Sequence, residues 1–256
     1  MSIQDKLITI TENIPKVYEA GITEGKKVQY DAFWDAFQIN GTRTSYYSAF
    51  DKYHFNSDIF YPKYDIRIVG SGERLFYGWS DNLLGNQLDF DLSSRLQECG
   101  VVLDTSKATS LLNAFAYTRF SSIPTIDVTA LTSTASGLFS HVYGNNLYQM
   151  TIEKIIVNET TVYTSWFSNN TALKSVRFDG TIANTLSLSS CYRLDKASIT
   201  NVVEHLSTTT SGISVSFSKT AVDREFETDA GAADGSTSAE WQTLIGTRSN
   251  WTITLS

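Results

Sequence analysis

Val101-Val102-Leu103-Asp104, Ile126-Asp127-Val128, Ile155-Ile156-Val157 and Val176-Arg177-Phe178-Asp179 open four imperfect copies of one unit between Cys99 and Leu194. Each copy is a short apolar strand followed by a run rich in Ser, Thr and Asn, then an aromatic pivot. The first three pivots are Ala114-Phe115-Ala116, Leu138-Phe139-Ser140 and Trp166-Phe167-Ser168; the fourth copy carries Leu188-Ser189-Ser190-Cys191. From Leu103 to Val128, Val157 and Phe178 the steps are 25, 29 and 21 residues. A period in the twenties is the length of one coil of a repeat array, and such a coil cannot bury its apolar face alone. The expected fold class is α/β, an irregular solenoid with one parallel strand per coil.

Working outward, the 256 residues divide into four expected segments. Residues 1–40 form a helical attachment or oligomerisation segment. Ile3, Leu7, Ile10, Ile14 and Val17 are spaced as an a/d seam, with a break or kink at Pro15. Tyr30, Phe33, Trp34 and Phe37 make one stripe of a second helix over 26–38. Residues 41–98 are aromatic-rich entry coils, with Asp65-Ile66-Arg67-Ile68-Val69 a strand and Leu75-Phe76-Tyr77-Gly78 resembling the later pivots. Leu88-Asp89-Phe90-Asp91-Leu92 also reads as a strand. Residues 99–194 are the array.

Residues 195–256 are α/β C-terminal coils and a cap. Asp195 to Leu206 is expected to be helical with Ser198 as N-cap, and Ile213 to Phe217 a strand. Thr237-Ser238-Ala239-Glu240 has the form of a capping box opening a second helix, and Trp251 to Leu255 is a closing strand. Asp229 to Gly235 reads as a turn, because the alternating ligands of a calcium loop are missing.

The formal charge is −7, and charged residues make up only 18% of the chain. An acidic chain without a basic stripe argues against nucleic acid or an anionic membrane as partner. No apolar run is long enough for a membrane span, and the opening residues lack the pattern of a secretory signal. Membrane insertion is therefore not expected. Cys99 and Cys191 belong to no metal-binding pair and read as two buried thiols. His54, His141 and His205 share no ligand spacing, His141 reading as a coil-edge residue. No phosphate loop or activated-serine motif occurs. Neither metal nor other cofactor is expected, and the chain is read as no enzyme.

The array and the closing runs Leu194-Asp195-Lys196-Ala197-Ser198-Ile199 and Asn250-Trp251-Thr252-Ile253 resemble BspA-like leucine-rich-repeat proteins. The resemblance rests on pivots flanked by small residues, as in Ala114-Phe115-Ala116, and on the approach to a strand in Asn169-Asn170-Thr171-Ala172-Leu173-Lys174-Ser175-Val176. The Ile-Pro step occurs once, at Ile123-Pro124. The opening, Glu12-Asn13-Ile14-Pro15-Lys16-Val17-Tyr18-Glu19-Ala20-Gly21 followed by Tyr30-Asp31-Ala32-Phe33-Trp34, is similar to uncharacterised tail proteins of phages and prophages of gut bacteria.

These resemblances imply an irregular leucine-rich-repeat solenoid in a non-enzymatic virion protein, either tail or receptor-binding. Its face would meet a host-surface glycan or protein. Residues 1–40 would join other virion or surface proteins, or build a homo-oligomer such as a trimer. A bacterial surface or extracellular adhesin, a structural tail or decoration protein, and a glycan-cleaving solenoid are the alternatives. The last requires two carboxylates, among Asp89, Asp91, Asp104, Asp127 and Asp179, within about 5–10 Å.

Strand alternation places the candidate face. If Val101, Leu103, Ile126, Val128, Ile155, Val157, Val176 and Phe178 point inward, then Asp104, Thr125, Asp127, Lys154, Arg177 and Asp179 point outward as a mixed-charge strip. Tyr61, Tyr64, Tyr77 and Trp79 are candidate stacking surfaces for a sugar.

Overall fold

The computed structural model describes residues 49–50, 60–78, 90–132, 135–143, 148–226 and 235–256. The expected helices over residues 1–40, with Ile3, Leu7, Ile10, Ile14, Val17, Phe33, Trp34 and Phe37, lie outside the described residues, as do Trp79 and the turn from Asp229 to Asp234.

The chain is mixed α/β, with parallel strands and few helices. Strand β1 (Ile66–Ser71) pairs in parallel with β3 (Leu103–Ser110). Strands β2 (Phe90–Asp91), β4 (Phe120–Ile123), β6 (Met150–Ile156) and β5 (Ile126–Asp127) follow one another in a second sheet, and β7 (Leu173–Asp179) joins the other side of β6. β4 and β5 share one edge of β6 and are separated by Pro124, which has no N–H to give to a ladder. A third sheet has the order β10 (Thr252–Leu255), β9 (Ser214–Phe217), β8 (Leu186–Leu188), again parallel.

Inward alternation is met throughout. Val101, Leu103, Ile126, Val128, Ile155, Val157, Val176 and Phe178 are all buried. Register aligns Ile126 with Ile155 and Ile155 with Phe178, so one apolar row crosses three strands.

The pivots supply a second row. Phe50, Phe76, Phe115, Phe139 and Phe167 lie ring upon ring, with centroids 5.4, 5.5, 5.5 and 5.6 Å apart and interplanar angles of 25° or less. All five are buried. Each such pair adds about 0.5–1.5 kcal/mol beyond the burial of its surface. The backbone repeats with the rings: Phe76 N–H donates to Ala114 O, Phe115 N–H to Leu138 O, and Phe139 N–H to Trp166 O, at 2.8–2.9 Å. Successive pivot turns are therefore hydrogen-bonded to one another as strands are.

Several local expectations are corrected. Leu92 is not strand but the first residue of helix α1 (Leu92–Cys99), which starts at the Asp91 cap and ends at left-handed Gly100. The first strand of the array is longer than its short apolar stretch, because β3 continues through the polar residues to Ser110. Its buried hydroxyls are satisfied: Thr105 Oγ1 donates to Asp127 O and accepts from Asp127 N–H, both at 2.8 Å, and Ser110 Oγ donates to Glu73 Oε1 at 2.8 Å.

In helix α2 (Lys196–His205) the N-cap is Asp195, not Ser198. Asp195 Oδ1 accepts from Ser198 N–H at 2.8 Å. Ser198 Oγ instead accepts from Val176 N–H at 2.9 Å, and Asn201 Oδ1 from Phe178 N–H at 2.7 Å. Side chains of α2 thus complete the outer edge of β7. Helix α3 (Lys219–Glu225) has no counterpart in the sequence reading. Helix α4 (Ala239–Gly246) is capped by Ser238, one residue after the expected Thr237. Cys191 is buried as expected, but Cys99 at the end of α1 is only half-buried.

Candidate functional site

Two outer columns arise from this arrangement. The first is on the strands. Arg67 and Asp104 are opposite each other across β1 and β3, and Asp127 faces Ile156, which faces Asp179. Lys154 Nζ lies 3.4 Å from Asp179 Oδ2, with both groups largely in solvent. Pairs of this kind contribute little to stability. Arg177 is exposed opposite a register shift between Ile152 and Ile155, and Thr125 is half-buried between β4 and β5.

Two of the predicted carboxylates bond to their own chain two residues on, Asp104 at the register shift inside β3 and Asp127 at the turn after β5. Asp104 Oδ1 accepts from Ser106 N–H at 3.0 Å and Ser106 Oγ at 2.6 Å. Asp127 Oδ1 accepts from Thr129 N–H at 2.9 Å and Thr129 Oγ1 at 2.6 Å. Such bonds are the Asx-turn device. The Ser106 hydroxyl, with its N–H and the charges of Arg67 and Lys107, holds the Asp104 carboxyl below its ordinary value, against the opposing effect of partial burial.

The expected aromatic set divides. Tyr61 lies under the Arg95 guanidinium at 3.9 Å, and Arg95 also donates to Phe60 O, so this ring packs α1 onto the entry segment. Tyr64 is partly buried against the core. Tyr77 alone among the described members joins a surface row.

That row is the second column, and it follows from the backbone of the pivot turns. Two positions before each pivot, Arg74, Asn113, Gly137 and Ser165 have φ from 53° to 68°. Two positions after it, Gly78, Tyr117, His141 and Asn169 have φ from 54° to 71°. Each turn thus enters and leaves its buried phenylalanine through a left-handed residue. A Cβ on Gly137 would collide with the Asn113 side chain.

Tyr117 and His141 at this exit position, with Tyr77 beside Gly78 and Tyr143 further on, put their rings at the surface. Tyr77 and Tyr117 rings are 5.3 Å apart, Tyr117 and His141 are 4.5 Å apart and parallel within 9°, and Tyr143 meets His141 edge-on at 6.4 Å. The Arg74 guanidinium covers Tyr77 at 4.0 Å. His141 Nδ1 is 3.1 Å from Ser140 Oγ. Tyr117 is 39% exposed and Tyr143 59%.

The sequence marks Tyr77 only as one of several candidate stacking rings and leaves out Tyr117 and Tyr143. It places His141 at a coil edge without its ring partners. The available signal was spacing: Tyr117 and His141 each stand two residues past a pivot.

Among the described residues no group of three or more His, Cys, Asp or Glu is placed to hold a metal ion, and no helix is long and apolar enough to cross a membrane. Comparison with protein-family profiles, curated proteins and solved structures finds no match.

Proposed function

We propose that the chain is a non-enzymatic, virion-associated binding protein, a tail or receptor-binding component. On this reading residues 99–194 form an irregular leucine-rich-repeat solenoid, entered through coils over 41–98 and closed by a cap over 195–256, that turns a side column toward a host-surface glycan or protein, and residues 1–40 attach or oligomerise it. The observation carrying the reading is the phenylalanine row with its column of pivot-to-pivot hydrogen bonds. A repeated turn places equivalent outward positions in line, and an extended line of side chains is what repeat arrays use for recognition. The virion setting rests on the resemblance of the opening segment to phage tail proteins.

The test has two parts. The mass of the full chain in solution is measured beside that of a version beginning at Thr42, and the full chain is then applied to arrays of glycans and of bacterial surface proteins. An assembly lost on truncation, with binding retained by the shortened form, supports the proposal. A full-length monomer would refute self-assembly through residues 1–40, and adhesion to neither array would refute the binding half.

A further inference from the structure

We infer that the surface row of Tyr77, Tyr117, His141 and Tyr143 is the contact site, and that its ligand is an uncharged, pyranose-containing glycan. The inference rests on the binding role proposed above and adds the face and the ligand class.

The backbone gives the first reason. At the exit position of the pivot turn, Gly78, Asn169 and His141 (φ 57°) are residue types that occur in the left-handed conformation more often than most, whereas Tyr117 (φ 59°) is not. The Tyr117 ring does not repay that strain by entering the core, since it is exposed. Backbone strain maintained to hold a side chain at a surface points to use of that side chain.

The second reason is that the row is ordered before any ligand arrives. Tyr117 and His141 are stacked, Tyr77 is held between Tyr117 and Arg74, and His141 is tied to Ser140. Little rotamer freedom is left to lose on binding. The hydroxyls of Tyr117 and Tyr143 make no hydrogen bond with the protein among the described residues and are available to a ligand.

The ligand class follows from chemistry and spacing. Stacked along the row, the Tyr117 and His141 rings offer edges and polar tips, while Tyr143 offers a largely open ring. Sugar hydroxyls suit the tips, and the C–H face of a pyranose suits the open ring. Tyr77, Tyr117 and His141 come from three successive pivot turns and are spaced 5.3 and 4.5 Å apart. That is comparable to the length of one sugar unit in a linear chain. Among the described residues, Asn113, Ser168 and Asn169 of the same turns add uncharged polar groups, and the one charged side chain on the row, Arg74, is stacked on Tyr77 at its far end, away from Tyr143. The net charge of −7 disfavours polyanions.

The test is electrophoresis of the full chain through native gels containing dextran, mannan, galactan or β-glucan, with alginate and heparin gels as charged comparators. The variants are Tyr117→Asn, which keeps a residue suited to the left-handed position, Tyr143→Ala, and the strand-face double change Arg177→Ala with Asp179→Ala. All must retain the melting temperature of the parent.

The expected result is retardation in at least one neutral gel, weakened about tenfold or more by each tyrosine change and unaltered by the strand-face change. The His141 ring signal should also move on adding that polysaccharide, with that of His205 still. Retardation that survives both tyrosine changes would overturn the inference. If it is lost on the strand-face change instead, the glycan-binding role stands and the site is wrong. A parent chain ignored by every neutral gel but captured by charged gels or a surface-protein array refutes the ligand class and leaves the binding function. Failure on all of these surfaces removes both.

Discussion

Replacing Phe139 by Ala tests the central row most directly. Its ring is fully buried, stacked at 5.5 Å on Phe115 and 5.6 Å on Phe167, with Trp166 edge-on at 6.4 Å. Truncating a buried phenylalanine costs roughly 3–5 kcal/mol. Loss of stacked partners on both sides puts this site at the upper end, about 4–5 kcal/mol. A typical domain has about 5–15 kcal/mol of stability in total, so this change consumes much of the margin.

The assay is urea unfolding followed by far-ultraviolet circular dichroism, with free energies from linear extrapolation. A milder pair, Phe115→Leu and Phe139→Leu, singly and together, measures the coupling of adjacent rings. We expect about 0.5–1.5 kcal/mol for that pair. For Phe76 with Phe167, which are not neighbours in the row, we expect none. A Phe139→Ala cost below about 1.5 kcal/mol, or equal coupling for adjacent and separated pairs, would refute the row as the core's organising contact.

Gly180 has φ 101°, and an added Cβ would run into the Val157 carbonyl; Gly212 has φ 75° with open space around it. Gly212→Ala should therefore cost about 1 kcal/mol and Gly180→Ala about 3 kcal/mol or more, read as melting-temperature shifts. Asp104 has a carboxyl pKa below its ordinary 3.8 in the folded chain. Its stabilising contribution is present above pH 3.8 and lost as pH falls through the lower folded value. Asp104→Asn should destabilise the protein at neutral pH, and the difference from the parent should shrink below pH 3.8. Because the Ser106 hydroxyl is the leading cause, added salt should leave most of the effect. Complete burial pushes the Cys191 thiol pKa up. A thiol reagent should label half-buried Cys99 in the folded protein and reach Cys191 only on unfolding.

The sequence by itself determined what enters the core. Strand alternation identified Ile126, Ile155 and Phe178 as inward residues, and the aromatic spacing marked Phe76, Phe115, Phe139 and Phe167 as pivots of repeated turns; the structure buries all of them. These are local matters, because period and apolarity within a few residues decide which side of a strand or turn is buried. Helix α1 was legible in principle from Asp91 and Gly100, but the apolar alternation around Phe90 was read through the cap.

The surface depended on tertiary structure. Tyr77, Tyr117 and His141 are separated by 40 and 24 residues, and only the register of the pivot turns brings their rings together. No local preference announces a left-handed tyrosine, since propensity opposes it and the pivot turn imposes it. The same long-range contacts committed Tyr61 to Arg95, while local hydrogen bonds committed the carboxylates of Asp104 and Asp127 to backbone groups. Burial is encoded residue by residue, whereas a surface column exists only once turns far apart in the chain have been set in line.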